Sequence, residues 1–160
     1  MIYFAFVWIR LCYGSEIYRN TYQTHLSKLH ILNNKILRIL QNKPPHTHVI
    51  ELYKTYNINT IYDIHKLQIL ILVHNFFHHK KKIPIIFNSY FSTNNSLYHH
   101  NTRGRNSLHT DSCSTTIGLK SIKYKGLKLW NELPSHLKYC NSTKKFTSLL
   151  KIYLRTQTLN

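Results

Sequence analysis

The sequence predicts a mostly α-helical fold: a small helical domain with a long polar loop and at most a short β segment. Three stretches, at 22–41, 61–78 and 143–156, repeat apolar residues at three- and four-residue spacing, the period of a helix face. The length of 160 residues and the hydrophobic content of 42% fit one domain with a real core. We expect the helices at 22–41 and 61–78 to form that core against the helix at 143–156.

Within this single domain, residues 1–160, the composition suggests three parts. They are a helical part at 1–91, a loop at 92–118 and a basic C-terminal part at 119–160.

The chain opens on an apolar run, Ile2–Ile9. It could be a signal peptide, with Cys12-Tyr13-Gly14 as a cleavage site, but no Lys or Arg precedes the run and Arg10 follows it directly. The run is also far shorter than the roughly 20 residues that a membrane helix needs. We therefore expect a core helix whose natural upstream neighbours are missing.

Residues 22–41 give the clearest helical pattern of the first half. The apolar stripe consists of Leu26, Leu29, Leu32, Ile36, Leu37 and Leu40. Asn42, Lys43 and Pro44-Pro45 should stop this helix, because proline lacks a donor and biases the residue before it out of helical geometry. A short helix can follow at 47–57.

The stretch 61–78 should be the central core helix, because its middle, LQILILV, is apolar on most faces. Asn59-Thr60 fits a helix cap before it. Lys80-Lys81-Lys82 suits the carboxy terminus of a helix, whose dipole attracts cations, and Pro84 follows as a stop.

The second half is less regular. Residues 92–116 lack apolar periodicity and are rich in Ser, Thr, Asn and His, so we expect a long, poorly ordered loop. Ile122 and Tyr124 alternate with polar residues, a weak strand signal, whereas Leu127–Leu133 favours a helix. Asn141-Ser142-Thr143 can cap a final helix. The apolar face of that helix consists of Phe146, Leu149, Leu150, Tyr153 and Leu154.

The charge balance is the most unusual property of the composition. The chain has 22 Lys and Arg against five Asp and Glu, a net charge of +17. A+T-rich coding DNA would produce many lysines, but it would not remove carboxylates. The shortage of acids therefore predicts a polyanion-binding surface, with nucleic acid favoured over an anionic membrane. Three widely spaced cysteines form no disulfide framework, which fits a reducing intracellular compartment, the nucleus or the cytoplasm.

The basic residues most suited to contact nucleic acid lie after position 79. They are Lys80, Lys81, Lys82, Arg103, Arg105, Lys120, Lys123, Lys125, Lys128, Lys144 and Lys145. Each has an ordinary alternative: the lysine run can be a solvated helix end, and Arg103-Gly104-Arg105 can lie in a mobile loop. Tyr124 and Trp130 stand beside the lysines at 120–128, an arrangement that single-stranded nucleic acid uses for stacking. Trp130 is better explained as a core anchor.

The sequence argues against catalysis by this chain. Two-metal polymerases and nucleases need several carboxylates at one site, but the five acids are scattered, and Tyr62-Asp63 is followed by Ile64 and not by a second aspartate. No phosphate-binding glycine loop and no G-x-S-x-G motif is present. We expect no catalytic residue, no cofactor and no small-molecule substrate.

Histidines leave one alternative open. His74 and His78 stand four apart on a predicted helix, without a Cys or carboxylate ligand near them in sequence. The spacing His109-x3-Cys113 recurs in His136-x3-Cys140, and two such pairs could close a tetrahedral zinc site. A Cys-x-x-Cys knuckle, which structural zinc sites usually contain, is missing.

The order of many short motifs resembles the carboxy-terminal region of non-LTR (LINE-type) retrotransposon reverse transcriptases of the jockey and related groups. The landmarks in the second half are Asn101-Thr102-Arg103, Gly118, Ser121, Tyr124-x-Gly126-x-x-Leu129-Trp130-Asn131-x-Leu133-Pro134, Leu137-Lys138 and Phe146…Leu149-Leu150-Lys151. In the first half they are Tyr13-Gly14, Asn20-Thr21-Tyr22 and Asn34-Lys35-Ile36-Leu37-Arg38-Ile39. The similarity covers nearly the whole chain. Arg19 departs from it, because the family tends to have Gly there, and the cysteine-rich knuckle of some LINE tails is absent.

The resemblance implies a parent enzyme that copies its own RNA at a nicked chromosomal site. This chain would be the thumb-like and tail part of that enzyme, with the catalytic aspartates upstream of Met1. We therefore expect a truncated, non-catalytic fragment that binds RNA or DNA through charge, with little sequence preference. The alternatives are a zinc-binding or interaction protein that uses the His/Cys pairs, and a decayed reading frame without function.

Overall fold

A computed structural model describes residues 2–13, 15, 23–98, 104–105 and 107–159. The π-helical stretch Tyr3–Trp8 comes first, and 3-10 turns lie at Lys80–Lys82 and Ile85–Ser89. The α-helices are α1 (Ile9–Cys12), α2 (Gln23–Leu40), α3 (Val49–Thr55), α4 (Ile61–His78), α5 (Asn94–Leu97), α6 (Thr116–Lys120), α7 (Ile122–Glu132), α8 (Ser135–Lys138) and α9 (Thr143–Leu159).

The mostly α-helical fold class is confirmed. Within the described ranges the only β pairing is an isolated antiparallel bridge between Thr93 and Leu108. In the same ranges, no helix combines the length and the apolar character that crossing a bilayer requires. The chain forms two compact units: unit 1 is Met1–Gln68 with Leu149–Asn160, and unit 2 is Ile69–Ser148. The helices α4 and α9 each contribute residues to both units, so these units divide the chain at other positions than the three parts suggested by composition.

The helical periodicity anticipated the core of unit 1 in part: Leu37 of the predicted stripe is buried, whereas Leu32 is 53% exposed. The buried members are Tyr3, Leu11, Leu37, Val49, Leu52, Tyr53, Ile58, Ile61 and Ile64. The final helix packs on the residues before and within α4: the Asn59 amide donates to the Lys151 carbonyl oxygen at 3.1 Å, and the Thr158 hydroxyl donates to Asp63 at 2.8 Å. These contacts fit the expectation that α9 packs beside α4.

The apolar run at the amino terminus is helical, as predicted, but only one of its faces is core. Tyr3 and Leu11 are buried, whereas Ile2, Phe6 and Ile9 are 63%, 71% and 62% exposed. The Tyr3 hydroxyl donates to Asn33 at 3.1 Å, and the Asn33 amide donates to the Tyr53 hydroxyl at 2.9 Å. Burial raises the pKa of Tyr53 to about 12, so this phenol stays protonated at neutral pH.

The ends of the first helices have identifiable causes. Asn42 follows α2 with a positive φ of 54°, and the Lys43 amide donates back to the Arg38 carbonyl at 2.9 Å, a Schellman-type end that comes before the two prolines. The predicted cap of α4 is confirmed. The Thr60 hydroxyl accepts from the Asp63 backbone N–H at 3.2 Å and donates to its carboxylate at 2.7 Å.

Unit 2 has an aromatic core around the second half of α4. Phe76 meets Phe91 edge-on at 5.0 Å, and the Phe77 ring stacks on Trp130 at 5.2 Å. At Gly126 an added Cβ would lie 3.0 Å from a methyl group of Val73, so glycine lets α7 approach α4 closely.

The weak strand signal at Ile122 and Tyr124 is wrong, because these residues belong to α7. The Ser121 hydroxyl accepts from the Tyr124 backbone N–H at 3.2 Å and thereby caps the helix. Gly126, Leu127 and Trp130 are buried at helical spacing. The predicted helix at 127–133 therefore exists and begins five residues earlier.

The polar segment at 92–116 contains specific contacts where it is described. Leu108 is buried, and its backbone N–H and carbonyl oxygen both bond to the Asn131 side chain at 3.0 Å. Asn94 donates to the Gly104 carbonyl oxygen at 2.8 Å. Residues 99–103 and 106 lie outside the described residues. The expected poor order of this loop stays a prediction.

Candidate nucleic-acid interface

All the basic residues that the sequence proposes for nucleic-acid contact belong to unit 2. Residues 69–148 contain twelve Lys and Arg and only two acids, Asp111 and Glu132. Arg103 lies outside the described residues, and the others are Arg105 and three groups of lysines on different elements. Their surroundings separate exposed cations from those already engaged within the protein.

The first group is the lysine turn after α4. Lys80 and Lys81 are exposed, and Lys82 belongs to the same 3-10 turn. The Lys80 ammonium lies 5.1 Å from the centre of the Phe76 ring, a cation–π contact that positions the side chain along its own helix end. This geometry fits lysines that stabilise the carboxy-terminal end of α4. It leaves the charge of Lys80 and Lys81 available to a phosphate.

Three histidines at the end of α4 hold the segment between α8 and α9. The Nε2 atoms of His74, His78 and His79 donate to carbonyl oxygens at 2.6, 3.2 and 3.0 Å. The acceptors are, in that order, the carbonyls of Cys140, Lys138 and Asn141. A carbonyl oxygen only accepts, so each Nε2 carries a proton. We call these three contacts the imidazole tether.

The most buried member of the tether is His74. Its side chain is fully buried, and the ring stacks on Phe146 at 4.2 Å and lies 4.6 Å from the His78 ring. Burial lowers the pKa of His74, and the Cys140 carbonyl partly opposes that effect. The face shared by His74 and His78 is therefore occupied by structural hydrogen bonds and ring packing.

The second group, Lys144 and Lys145, is exposed in the first turn of α9. The contact between His79 and Asn141 brings the backbone just before Lys80 next to the backbone just before α9. No acid occupies the first turn of α9, although the helix dipole favours anions there and disfavours cations. Lysines at this end of a helix do not stabilise the helix through its dipole. Their presence is better explained by contact with an anionic ligand.

The third group lies on α6 and α7, and the structure divides it. Lys123 forms an ion pair with Asp111 at 2.5 Å, and this contact lowers the pKa of the Asp111 carboxyl. Burial, followed by the charge of Lys120, lowers the pKa of Lys125. Lys128 is exposed, and no carboxylate pairs with it in the described part of the chain. Lys128 therefore supplies accessible charge here, while Lys120 and Lys125 are half-buried.

Arg105 is exposed and anchored to the short helix α5. Its Nε donates to the Asn95 side chain at 2.6 Å, and the Asn95 backbone N–H donates to the Arg105 carbonyl oxygen at 3.0 Å. The guanidinium thus starts from a fixed backbone, which reduces the entropy lost when an arginine contacts a phosphate.

The aromatic residues near the lysines differ in how exposed they are. Trp130 is 7% exposed and stacked on Phe77, so its interpretation as a core anchor is confirmed. Tyr124 is half-buried. The aromatic side chain that sequence reasoning missed is Tyr139, which is 81% exposed at the end of α8. The available signal was its position outside any apolar helical face, directly after Lys138.

The proposed zinc ligands do not form one site. His109 contacts Asn94 at 3.2 Å and Asp111 at 3.3 Å, and the Cys140 thiol points to the Ser142 carbonyl oxygen at 3.7 Å. Across the described ranges, which include all four proposed ligands, no group of three or more His, Cys, Asp or Glu could hold a metal ion. The recurring His-x3-Cys spacing reflects two separate local environments.

The carboxylates are equally separate where they are described. Asp63 is buried and bonded to Thr60 and Thr158, Asp111 pairs with Lys123, and Glu51 and Glu132 are exposed on different helices. Glu16 lies outside the described residues.

Comparison of the chain with known protein families, with curated proteins and with solved structures finds no match.

Proposed function

We propose that this chain is a non-catalytic RNA- or DNA-binding module that acts through charge, with little sequence preference. The observation that carries the proposal is the composition of unit 2, where twelve Lys and Arg meet two acids and one of those acids is already paired with Lys123. A phosphate backbone is the polyanion that such a surface neutralises, and release of its counterions supplies most of the affinity.

The sequence resemblance gives this module a biological setting. We propose that it corresponds to the region after the polymerase palm of a non-LTR retrotransposon reverse transcriptase, and that it works in the nucleus or the cytoplasm. The three cysteines form no disulfide in this structure, which fits such a reducing compartment. Reading the coding DNA upstream of Met1 tests the setting, because a polymerase palm in the same or a broken frame is expected there.

The decisive experiment measures the salt dependence of binding. Fluorescence anisotropy with a labelled single strand of about 20 nucleotides should give a logarithmic affinity that falls linearly with the logarithm of salt concentration. Each lysine contact to a single strand contributes a slope of about −0.7. An affinity that does not change between low and moderate salt contradicts the electrostatic proposal.

Two variants with the same loss of charge locate the interface. Replacing Lys80, Lys81, Lys144 and Lys145 in unit 2 with Gln should reduce the slope by about 3. The control replaces four lysines of unit 1, which are also exposed, with Gln; they are Lys28, Lys35, Lys43 and Lys54. The control should leave the slope nearly unchanged. Equal losses in both variants show that only net charge matters and contradict an interface on unit 2.

The non-catalytic part of the proposal has its own test. The purified 160-residue chain, given a primer, template, nucleotides and Mg²⁺, should incorporate no nucleotide, because a polymerase needs several carboxylates around its metal ions. Sustained primer extension by the pure chain contradicts this part, while the binding measurements remain independent of it.

A further inference from the structure

Tyr139 is the most exposed aromatic side chain among the described residues of unit 2. Its ring is 81% exposed, whereas Tyr98 is 53% exposed and Trp130 only 7%. The residue ends α8, and its backbone N–H donates to the Ser135 carbonyl oxygen at 3.2 Å. An aromatic ring with most of its surface in water loses the hydrophobic contribution that a buried ring makes, so it adds little to the core.

The backbone that carries Tyr139 is nevertheless fixed. The imidazole tether holds the carbonyl of the preceding residue, Lys138, through His78, and it holds the two following carbonyls, those of Cys140 and Asn141, through His74 and His79. Three hydrogen bonds therefore immobilise residues 138–141 while the Tyr139 ring stays in solvent. Such preorganisation reduces the entropy that a bound partner would have to overcome.

Exposed lysines belong to the segments that adjoin the backbone carrying this ring. Lys144 and Lys145 follow it in the first turn of α9, and Lys80 and Lys81 follow His79, which touches Asn141. The Lys138 ammonium donates to the Asn131 carbonyl oxygen at 3.0 Å and is therefore engaged within the protein. A solvent-exposed ring on a fixed backbone, with exposed lysines on the adjoining segments, is the combination that binds a strand by base stacking and phosphate contact.

We infer that Tyr139 stacks on an unpaired base and gives unit 2 a preference for single-stranded nucleic acid. The lysines contact the phosphates on either side of that base. In a duplex the bases are already stacked on each other, and charge alone then supplies the affinity. This inference rests on the proposed function, because stacking on Tyr139 requires that the strand first bind to the basic surface.

The test compares three probes of about 20 units: oligo(dT), a strand with the same phosphates but abasic sugars, and a duplex. The wild-type chain should bind oligo(dT) about fivefold or more tightly than the abasic strand, since stacking on one aromatic side chain contributes at least that much. Tyr139→Ala should lower this affinity ratio to about one. The slope of affinity against salt concentration should not change, because no charge is lost. Tyr139→Phe should keep the ratio, because the ring remains.

Tyr13→Ala is the matched control, since Tyr13 is 85% exposed and belongs to unit 1. It should keep the wild-type ratio. Circular dichroism establishes that each variant has kept its helices. A Tyr139→Ala ratio equal to that of the wild type overturns the inference, as does a wild-type chain that binds oligo(dT) and the abasic strand equally. If the wild-type chain binds none of the three probes, the proposed function itself fails.

Discussion

Acidification should destabilise this protein through His74, the fully buried member of the imidazole tether. Protonation would place a charge on a ring that stacks on Phe146, and the Nδ1 atom that would receive the proton is buried with no hydrogen-bond partner in the described part of the chain. Burial therefore lowers the pKa of His74 below its ordinary value of 6.5, and the neighbouring His78 and His79 act in the same direction. The folded state thus binds this proton more weakly than the unfolded chain does.

The sign and the limit of the effect follow from this difference in proton binding. Well above a pH of 6.5 His74 is unprotonated in both states, and its full contribution to stability is present. As the pH falls from 6.5 toward the lowered pKa, the unfolded chain takes up the proton first, and the free energy of unfolding decreases. One group can change that free energy by at most about 1.4 kcal/mol per pH unit.

Urea unfolding followed by circular dichroism at several pH values between about 7.5 and 5 measures this slope. His74→Gln keeps a donor for the Cys140 carbonyl but cannot titrate, so its free energy of unfolding should depend less on pH than that of the wild type. His136→Gln is the control, because His136 is exposed in the same unit. His30→Gln should also reduce the pH dependence, since burial lowers the pKa of His30 as well. A His74→Gln variant with the wild-type slope refutes the reasoning.

Two further substitutions test the packing of each unit. Thr60→Ala removes the cap of α4 and should lower the free energy of unfolding by about 1 kcal/mol, while Thr60→Ser, which keeps the hydroxyl, should lose less; equal losses in urea unfolding contradict a capping role. Asn131→Ala leaves both backbone groups of buried Leu108 without their partner and should cost about 1–3 kcal/mol, with faster hydrogen exchange at the Leu108 amide; unchanged exchange there contradicts the contact.

The helices were predictable where apolar spacing was long and regular. The bounds of α2 and α4 lie within about one residue of the expected ranges, because buried side chains such as Leu37 and Leu67 recur at the helical period. The start of α7 was missed because Ile122 and Tyr124 alternate with polar neighbours over a stretch too short to separate a period of 2 from one of 3.6. Ser121, which caps this helix, was the local signal that outweighed the alternation.

The basic surface was predictable in sum but not residue by residue. Net charge and its concentration after position 79 can be counted, but the pairing of Lys123 with Asp111 depends on how the 11 intervening residues, which include α6, fold back. Exposure posed the same difficulty for the tyrosines. Nothing in the sequence near Tyr139 indicates that histidines 60 or more residues away will fix its backbone through the neighbouring carbonyls.

The hydrogen bonds that join Tyr3, Asn33 and Tyr53 have a consequence for how the first helix finds its place. Apolar side chains cover much of that helix, so apolar packing alone would allow several rotations about the helix axis. Rotation of the helix by one residue about its axis would move the Tyr3 hydroxyl away and leave the buried side-chain oxygen of Asn33 without this donor. The hydrogen bonds among these three side chains therefore fix one rotational orientation of the helix. That orientation is selected by a few polar atoms that need hydrogen-bond partners, and not by the apolar contacts.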